Sequence, residues 1–546
     1  MTAADSPGLR TGATSPESKP RDRSPRPPAI LWAPALVVAA AMALPLAYLI
    51  IRTLGVGSEL GDLLFRVRTL QIILRSALLV AAVTAASAII STPLAWLTVR
   101  TDLPLGRLWT ILTSLPLVIP SYIGAFLVVA ALGPKGMLQG GLETIFGIDR
   151  LPDIYGFPGA MLTLTLLSYP YILLPLRAAL TRMDPSLEEA SRSLGDTPWT
   201  TFRRVTLPLL RPAMAAGGLL VALYTLSDFG AVSLLRYETF TWAIYLQYES
   251  TFDRALASGL SLVLVLFAVG ILLGESYTRG RSRYHRTSSG AARPPALIKL
   301  GRWKWPALAL CGSVVTFSLA LPMALLTYQV ARGVAAGDTI SHLWSATSSS
   351  LYVSGLASGA ALVAALPVAV LAVRFPGWAS SLLERVSYMG FALPGLVIAL
   401  ALVFFGSQVA TPIYQTTGLL VFAYVILFLP AAVGSMRASL LQMSSRLEEA
   451  ARSLGKTPLQ TLYSITLPLL RSGLVAGATL VFLLTMKELP ATLILSPIGF
   501  RTLSTSIWSA ASEAFFAQAA AHALVLILVS SVPMTFLMLR ERRQER

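Results

Sequence analysis

The sequence predicts an all-α polytopic membrane protein of about twelve transmembrane helices, arranged as two parallel repeats of one six-helix unit. Three observations lead to that fold class. Of the 546 residues, 55% are hydrophobic and only 13% are charged, with a mean hydropathy of +0.69, and the apolar residues fall into runs long enough to cross a bilayer. The stretch LEEASRSLGDTPWTTFRRVTLPLLR, from Leu187 to Arg211, returns 260 residues later as LEEAARSLGKTPLQTLYSITLPLLR, from Leu447 to Arg471, with 17 of 25 positions identical. That is a tandem duplication. Six apolar spans separate the two copies, so both halves take the same orientation and both repeated loops face the same compartment.

Taken in order, residues 1–28 are rich in Ser, Pro, Asp and Arg, lack the apolar side chains a core needs, and are expected to form a disordered tail. The apolar run that follows is too long for a cleavable signal and is read as the first span. The first half places spans at about 29–51, 77–97, 108–132, 158–176, 214–235 and 259–274, and the second at about 306–328, 351–373, 388–405, 416–433, 473–495 and 520–539. A first membrane domain therefore covers 29–276 with its loop at about 181–212. A linker at 277–305 joins it to a second domain, 306–540, with its loop at about 441–472, and a short tail closes the chain at 541–546.

The net charge of +17 does not point to nucleic acid once its distribution is considered. Most of the 43 Lys and Arg residues fall in the termini and the even-numbered connections, which is the positive-inside bias and predicts cytoplasmic termini. The stretch from Tyr277 to Lys304 carries eight basic residues and no acid, among them Arg279, Arg281, Arg283 and Arg286, as expected of a solvated linker held at an anionic leaflet. The single cysteine, Cys311, excludes an internal disulfide. The three histidines, His285, His342 and His522, show no metal-ligand spacing and are read as surface or core residues.

Each repeated loop has the signals of two short helices. In the first copy Asp184 can cap a helix with Pro185 in its first turn and Glu188 and Glu189 close behind, and in the second Ser445 to Glu448 has capping-box spacing. The helix should stop at Gly195 or Gly455, after which Thr197-Pro198 or Thr457-Pro458 opens a second helix. Pro208 and Pro468 mark the approach to the next span. Amphipathicity alone would favour ordinary interfacial helices packed beneath the bundle. Gly455-Lys456-Thr457 resembles the end of a phosphate-binding Walker A loop, but Ala450 stands where the first glycine is required and the segment leaves a helix instead of a strand.

The residues of the loop carry a more specific likeness. Glu449-Ala450-Ala451, Gly455, Ile465 and Leu467-Pro468, with Glu189-Ala190-Ser191, Gly195, Val205 and Leu207-Pro208 in the first copy, resemble the EAA loop of permease subunits of binding-protein-dependent ABC importers. The resemblance implies two six-helix type I importer permease domains fused in one chain in a bacterial inner membrane. It also implies a cytoplasmic ABC ATPase dimer that uses the ATP, an extracytoplasmic substrate-binding protein, and no cofactor on this chain. Glu188, Glu189, Ala190, Gly195, Glu448, Glu449, Ala450 and Gly455 are the expected ATPase-coupling residues, with the carboxylates meeting basic groups of the ATPase.

Ser227-Asp228-Phe229-Gly230 and Lys487-Glu488-Leu489-Pro490 occupy matching positions in the fifth and eleventh spans. Each sets a carboxylate two residues before a residue that weakens a helix. Paired interruptions and intramembrane acids point to a transport route, so Asp228 and Glu488 are the candidate pathway residues. The segments YTLSDFGAVSLL, TMKELPATLIL and IWSAASEAFFAQAA resemble fused permeases of bacterial ferric-iron importers, which implies Fe(III) as cargo. Thiamine and phosphonate permeases of similar design are the alternative, and a secondary transporter is the reading from a different class.

Overall fold

The structure, a computed structural model, describes residues 29–54, 66–134, 136, 137, 139, 143, 152–184, 186–250, 254–279 and 297–544. The tail at 1–28 and most of the linker at 277–305, including His285, lie outside the described residues. Helices dominate what is described. Ten are long and apolar enough to cross a membrane, and two bent pairs raise the number to twelve.

Those bent pairs are the third and ninth spans, which the sequence reading gave as single continuous ranges. Gly106–Val118 meets Ser121–Leu132 at 92°, and Trp378–Phe391 meets Gly395–Gln408 at 103°. Pro120 and Pro394 sit at the two corners, each preceded by an extended residue, Ile119 or Leu393. Proline has no N–H to give the preceding turn and disfavours a helical residue before it, so the span breaks there. In the first half the buried Arg177 holds the corner, donating to the Thr110 carbonyl at 2.9 Å and to the hydroxyls of Ser114 at 2.9 Å and Thr113 at 2.6 Å. Its counterpart Arg437 instead pairs with Glu384 at 2.8 Å.

The fifth and eleventh spans also end earlier than the sequence reading placed them. Leu207–Ser227 and Leu467–Lys487 stop at the candidate acids, and short helices Gly230–Leu234 and Pro490–Leu495 follow. Below, each of these spans is continuous with the loop through a π turn, Phe202–Thr206 or Leu462–Thr466. The second loop helix therefore runs directly into the span, with Pro208 and Pro468 in the first turn after the π segment, where a missing N–H costs little.

Each half has the same inner triad. Val67–Arg100 packs along Pro170–Arg182 and Leu207–Ser227, and Leu343–Arg374 packs along Thr417–Gln442 and Leu467–Lys487. The outer helices are exchanged between halves. Ala29–Leu54 lies against Leu343–Arg374 and Gly395–Gln408 of the second half, with Tyr48 stacked on Phe404 at 6.4 Å and Arg52 over the same ring at 5.9 Å. In return Ala307, Cys311 and Val314 of Lys304–Val315 join the core of the first half. Each half thus buries apolar surface on the other.

Topology fixes the faces. Where the linker re-emerges, the Ile298 N–H donates to the Arg100 carbonyl at 2.9 Å and the Asp102 N–H to the Ile298 carbonyl at 3.1 Å. Asp102 also accepts the Leu300 N–H at 2.8 Å and pairs with Lys304 at 3.3 Å. From that point Gly301–Ala336 crosses away and Leu343–Arg374 crosses back, which puts Arg374 on the face of Arg100. Since Arg100 and Arg374 contact the two repeated loops, both loops lie on one face. Trp303, Trp305 and Trp378 are exposed near that face and Trp344 at the opposite one, the placement of interfacial aromatic belts.

Candidate functional site

The two loops are built alike down to single hydrogen bonds. The Asp184 carboxylate accepts the Ser186 N–H at 3.0 Å and opens the helix Ser186–Ser193. In the second copy the cap is Ser444, one residue before the expected Ser445, and its hydroxyl accepts from Arg446 at 3.4 Å ahead of Ser445–Ser453. The stops fall at the glycines. Gly195 has φ +92° and Gly455 φ +85°, left-handed values that glycine adopts without a Cβ penalty, and Asp196 and Lys456 donate their N–H back to Ser191 and Ala451 at 3.2 and 3.1 Å. The Thr197 and Thr457 hydroxyls then cap the next helix, accepting from Thr200 and Gln460, each at 3.3 Å.

The carboxylates divide into two jobs. Glu448 is buried; its Oε1 accepts from Arg374 Nε at 3.1 Å and from the Thr466 hydroxyl at 3.1 Å. Glu188 repeats this with Arg100 at 3.4 Å and Thr206 at 2.7 Å. These two acids do not face outward as the sequence reading had them: they tie each loop helix to the end of the second span and the start of the fifth within their own half. Glu189, Ala190, Glu449 and Ala450 are exposed. Beside them stand Leu194 at 87% and Leu454 at 84% exposure, with Leu187, Trp199, Leu447 and Tyr463 also exposed, so each loop offers an apolar knob flanked by one free carboxylate.

Sequence reasoning missed Arg100, Arg374, Thr206 and Thr466. A signal was present: the dipeptide Val-Arg at 99–100 and 373–374 ends the second span of both halves, and Thr-Leu-Pro at 206–208 recurs at 466–468.

Asp228 and Glu488 lie at the far ends of the spans that leave the loops, and both are buried. Asp228 Oδ1 accepts the N–H groups of Ala231 at 2.9 Å and Val232 at 3.3 Å. Glu488 accepts from Ala491 at 3.0 Å, from Thr492 N–H at 2.9 Å, and from the Thr492 hydroxyl at 2.9 Å. Both carboxylates therefore cap the short helix that follows, where the unpaired N–H groups and the positive dipole end favour an acid. Their backbone carbonyls are held in the same way too, by the hydroxyl of Thr241 at 2.5 Å and of Ser504 at 2.8 Å. Lys487 breaks the symmetry, since its ammonium reaches the Leu117 carbonyl of the other half at 2.9 Å while Ser227 stands in its place in the first copy. The seam between halves is closed beside these caps by Phe229, Trp242, Tyr245 and Trp508, with Phe229 to Tyr245 centroids at 4.9 Å and Tyr245 to Trp508 at 6.1 Å. Among the described residues no three His, Cys, Asp or Glu side chains converge to hold a metal.

Comparison with known proteins agrees with the duplication. The family model described as "Binding-protein-dependent transport system inner membrane component" matches twice, at residues 92–279 and 357–546. The chain is 35% identical over 517 residues, covering 94% of this chain and 98% of the relative, to the Fe(3+)-transport system permease protein FbpB 2 of Haemophilus influenzae. It is 27% identical to the ferric transport system permease protein FbpB of Actinobacillus pleuropneumoniae, over 78% of this chain and 64% of that protein. The molybdenum transport system permease protein ModB of Escherichia coli matches at 31% over 34% of this chain and 82% of its own length. With two copies of the family domain, each covering one loop and the spans on either side of it, the chain belongs to the binding-protein-dependent transport system inner membrane components, as a fused two-domain ABC importer permease.

Proposed function

We propose that this permease carries Fe(III), received from an extracytoplasmic binding protein, into the cytoplasm, and that two copies of a separate ABC ATPase drive it through the loops at 181–212 and 441–472. The observation that carries the coupling is the shared geometry of the loops. Both lie on one face, both are locked to the transmembrane helices by a largely buried Glu–Arg pair, and both leave a leucine exposed beside a glycine turn. A push on Leu194 or Leu454 passes through Glu188 or Glu448 to two spans of the same half, which is what a lever between an ATPase and a membrane gate requires. The exposed Glu189 and Glu449 suit basic groups on the ATPase. The positive charge of the termini and even connections favours the cytoplasm for this face.

Iron as cargo is supported by the ferric permease relatives, one of which spans nearly the whole chain. The two buried acids add nothing to it, because their oxygens are committed to helix N-termini. The test is ATP-driven uptake of radiolabelled cargo into proteoliposomes holding the permease and its ATPase, with Fe(III)-loaded, molybdenum-loaded or thiamine-loaded binding protein outside. Iron accumulation that needs internal ATP and disappears in a Glu189→Ala, Glu449→Ala double variant is the expected result. Accumulation of another cargo refutes iron, and accumulation without ATP refutes the coupled importer.

A further inference from the structure

The two halves meet where each has a broken helix, and one hydrogen bond ties the breaks together. Lys487 ends the eleventh span, remote from the loops, and its ammonium donates to the Leu117 carbonyl of the first half at 2.9 Å. Leu117 lies in the 3₁₀ turn Leu115–Val118, just before the corner at Pro120. In such a turn a carbonyl accepts from the residue three further on, and for Leu117 that residue is Pro120, which has no N–H to give. The bend in the third span thus frees the acceptor that Lys487 occupies. An ammonium at membrane depth is costly and marks a functional position. Among the described residues Lys487 has no carboxylate partner, and Glu488 beside it is committed to the next helix N-terminus.

Connections from both loops arrive at this bond. Leu467–Lys487 rises from the second loop through its π turn. On the other side Pro170–Arg182 leads into the first loop, and its Arg177 grips the corner at Thr110, Thr113 and Ser114, one turn before Leu117. Past the corner Tyr122 packs on Gly230 so closely that a Cβ at that glycine would lie 2.7 Å from the Cβ of the tyrosine. The corner therefore also bears on the Asp228 cap. A displacement of either loop reaches Lys487 and Leu117 through contiguous helices and hydrogen bonds. Among the described residues the mirror contact is not built: Ser227 stands where Lys487 would, and Arg437, the counterpart of Arg177, pairs with Glu384 instead.

We infer that the Lys487–Leu117 hydrogen bond is a latch between the halves, holding the seam shut until the loops move, and that Lys487 is a positioning residue for transport. The inference rests on the coupled-importer reading above and is independent of the cargo. The experiment uses the permease–ATPase complex in nanodiscs, spin-labelled through Asp153→Cys and Ile498→Cys, both exposed on the face opposite the loops; Cys311 is buried. Distances between the labels are read by pulsed electron paramagnetic resonance without nucleotide, and ATPase rates with and without the loaded binding proteins named above. The latch is a charged hydrogen bond, so its loss in Lys487→Met should shift the balance toward parted halves about ten-fold or more. Label distances should then spread to longer values. The ATPase rate without binding protein should rise, whereas in a merely damaged complex it would fall. Lys487→Arg keeps donor and charge and should return both readings toward wild type, and Lys487→Gln repeats the test if Lys487→Met does not assemble. Ser227→Ala should change neither reading. Unaltered distances in Lys487→Met, or equal spreading in Ser227→Ala, overturn the latch, as does spreading with no rise in ATPase rate where binding protein stimulates the wild type. Spreading in a complex that no loaded binding protein stimulates keeps the latch and refutes the coupled importer.

Discussion

Changing Glu448 to Ala tests whether the buried ion pairs make the loops into levers. The variant leaves Arg374, whose side chain is 12% exposed, facing only the Met443 carbonyl at 3.4 and 3.5 Å, and removes the acceptor of the Thr466 hydroxyl. Breaking a buried pair from one side costs about 3–5 kcal/mol because the surviving charge is uncompensated. The Met443 carbonyl and the residual solvent at Arg374 put this case near the lower end, about 3 kcal/mol. All the lost contacts join Ser445–Ser453 to the ends of Leu343–Arg374 and Leu467–Lys487, so the cost falls on local detachment of the loop helix and not on the membrane core. At about 1.4 kcal/mol per tenfold, opening should rise by about a hundredfold. Hydrogen exchange in nanodiscs is the assay. Amides at 447–456 should exchange about a hundredfold faster, those of Thr417–Gln442 should not change, and ATP-driven uptake should fall with them. The swap of Glu448→Arg with Arg374→Glu should recover part of both, and Glu449→Ala should leave exchange untouched. Unaltered exchange in Glu448→Ala, or equal acceleration in Glu449→Ala, would refute the reasoning.

Asp228→Asn should keep most of the thermal stability and uptake that Asp228→Ala loses, because asparagine still caps a helix and a lost cap costs about 0.5–2 kcal/mol; equal loss of uptake in both variants would instead assign the charge a transport role. Gly455→Pro should insert normally yet abolish uptake, since proline fixes φ near −65° where the turn has +85°; wild-type uptake would count against the glycine turn as part of the lever. The Asp102 carboxyl is held below its usual range chiefly by the Leu300 N–H, with burial opposing and Lys304 assisting. A depressed acid stabilises above its unfolded value and loses that contribution as pH falls through the folded one. Protection of the Ile298 and Leu300 amides should therefore be complete at neutral pH and decline in acid. Asp102→Asn should flatten that dependence, and a profile unchanged by the substitution would exclude Asp102 as its source.

Periodicity, length and the duplicated loop made the helices, their number and the parallel repeat legible in the sequence, because each is a local pattern. The glycine turns and threonine caps at Gly195, Gly455, Thr197 and Thr457 were legible for the same reason. The corners at Pro120 and Pro394 were not, since a proline in an apolar run kinks or breaks a span according to what receives the freed backbone groups, and here Arg177 helps from a different helix. The inward turn of Glu188 and Glu448 was hidden likewise: their partners Arg100 and Arg374 lie 88 and 74 residues away in sequence. The exchange of Ala29–Leu54 onto the second half was invisible, because its apolar pattern satisfies lipid as well as protein.

Duplication and divergence fall on different atoms of this molecule. The groups that hold the fold recur in both halves: Ser76 and Ser350 receive the N–H of Phe240 and Leu503 at 3.2 and 2.8 Å, Thr241 and Ser504 hold the carbonyls of Asp228 and Glu488, and each loop keeps its Glu–Arg–Thr set. Among the groups that differ, two face the seam between the halves. Lys487 replaces Ser227, and Trp508 stands opposite Tyr245. A homodimer of one unit has to present identical side chains to its cargo from both sides. Fusion of two units frees the halves to differ at the seam between them, and the Lys487 ammonium, donating to the Leu117 carbonyl of the other half where the first copy has Ser227, is where that freedom has been used.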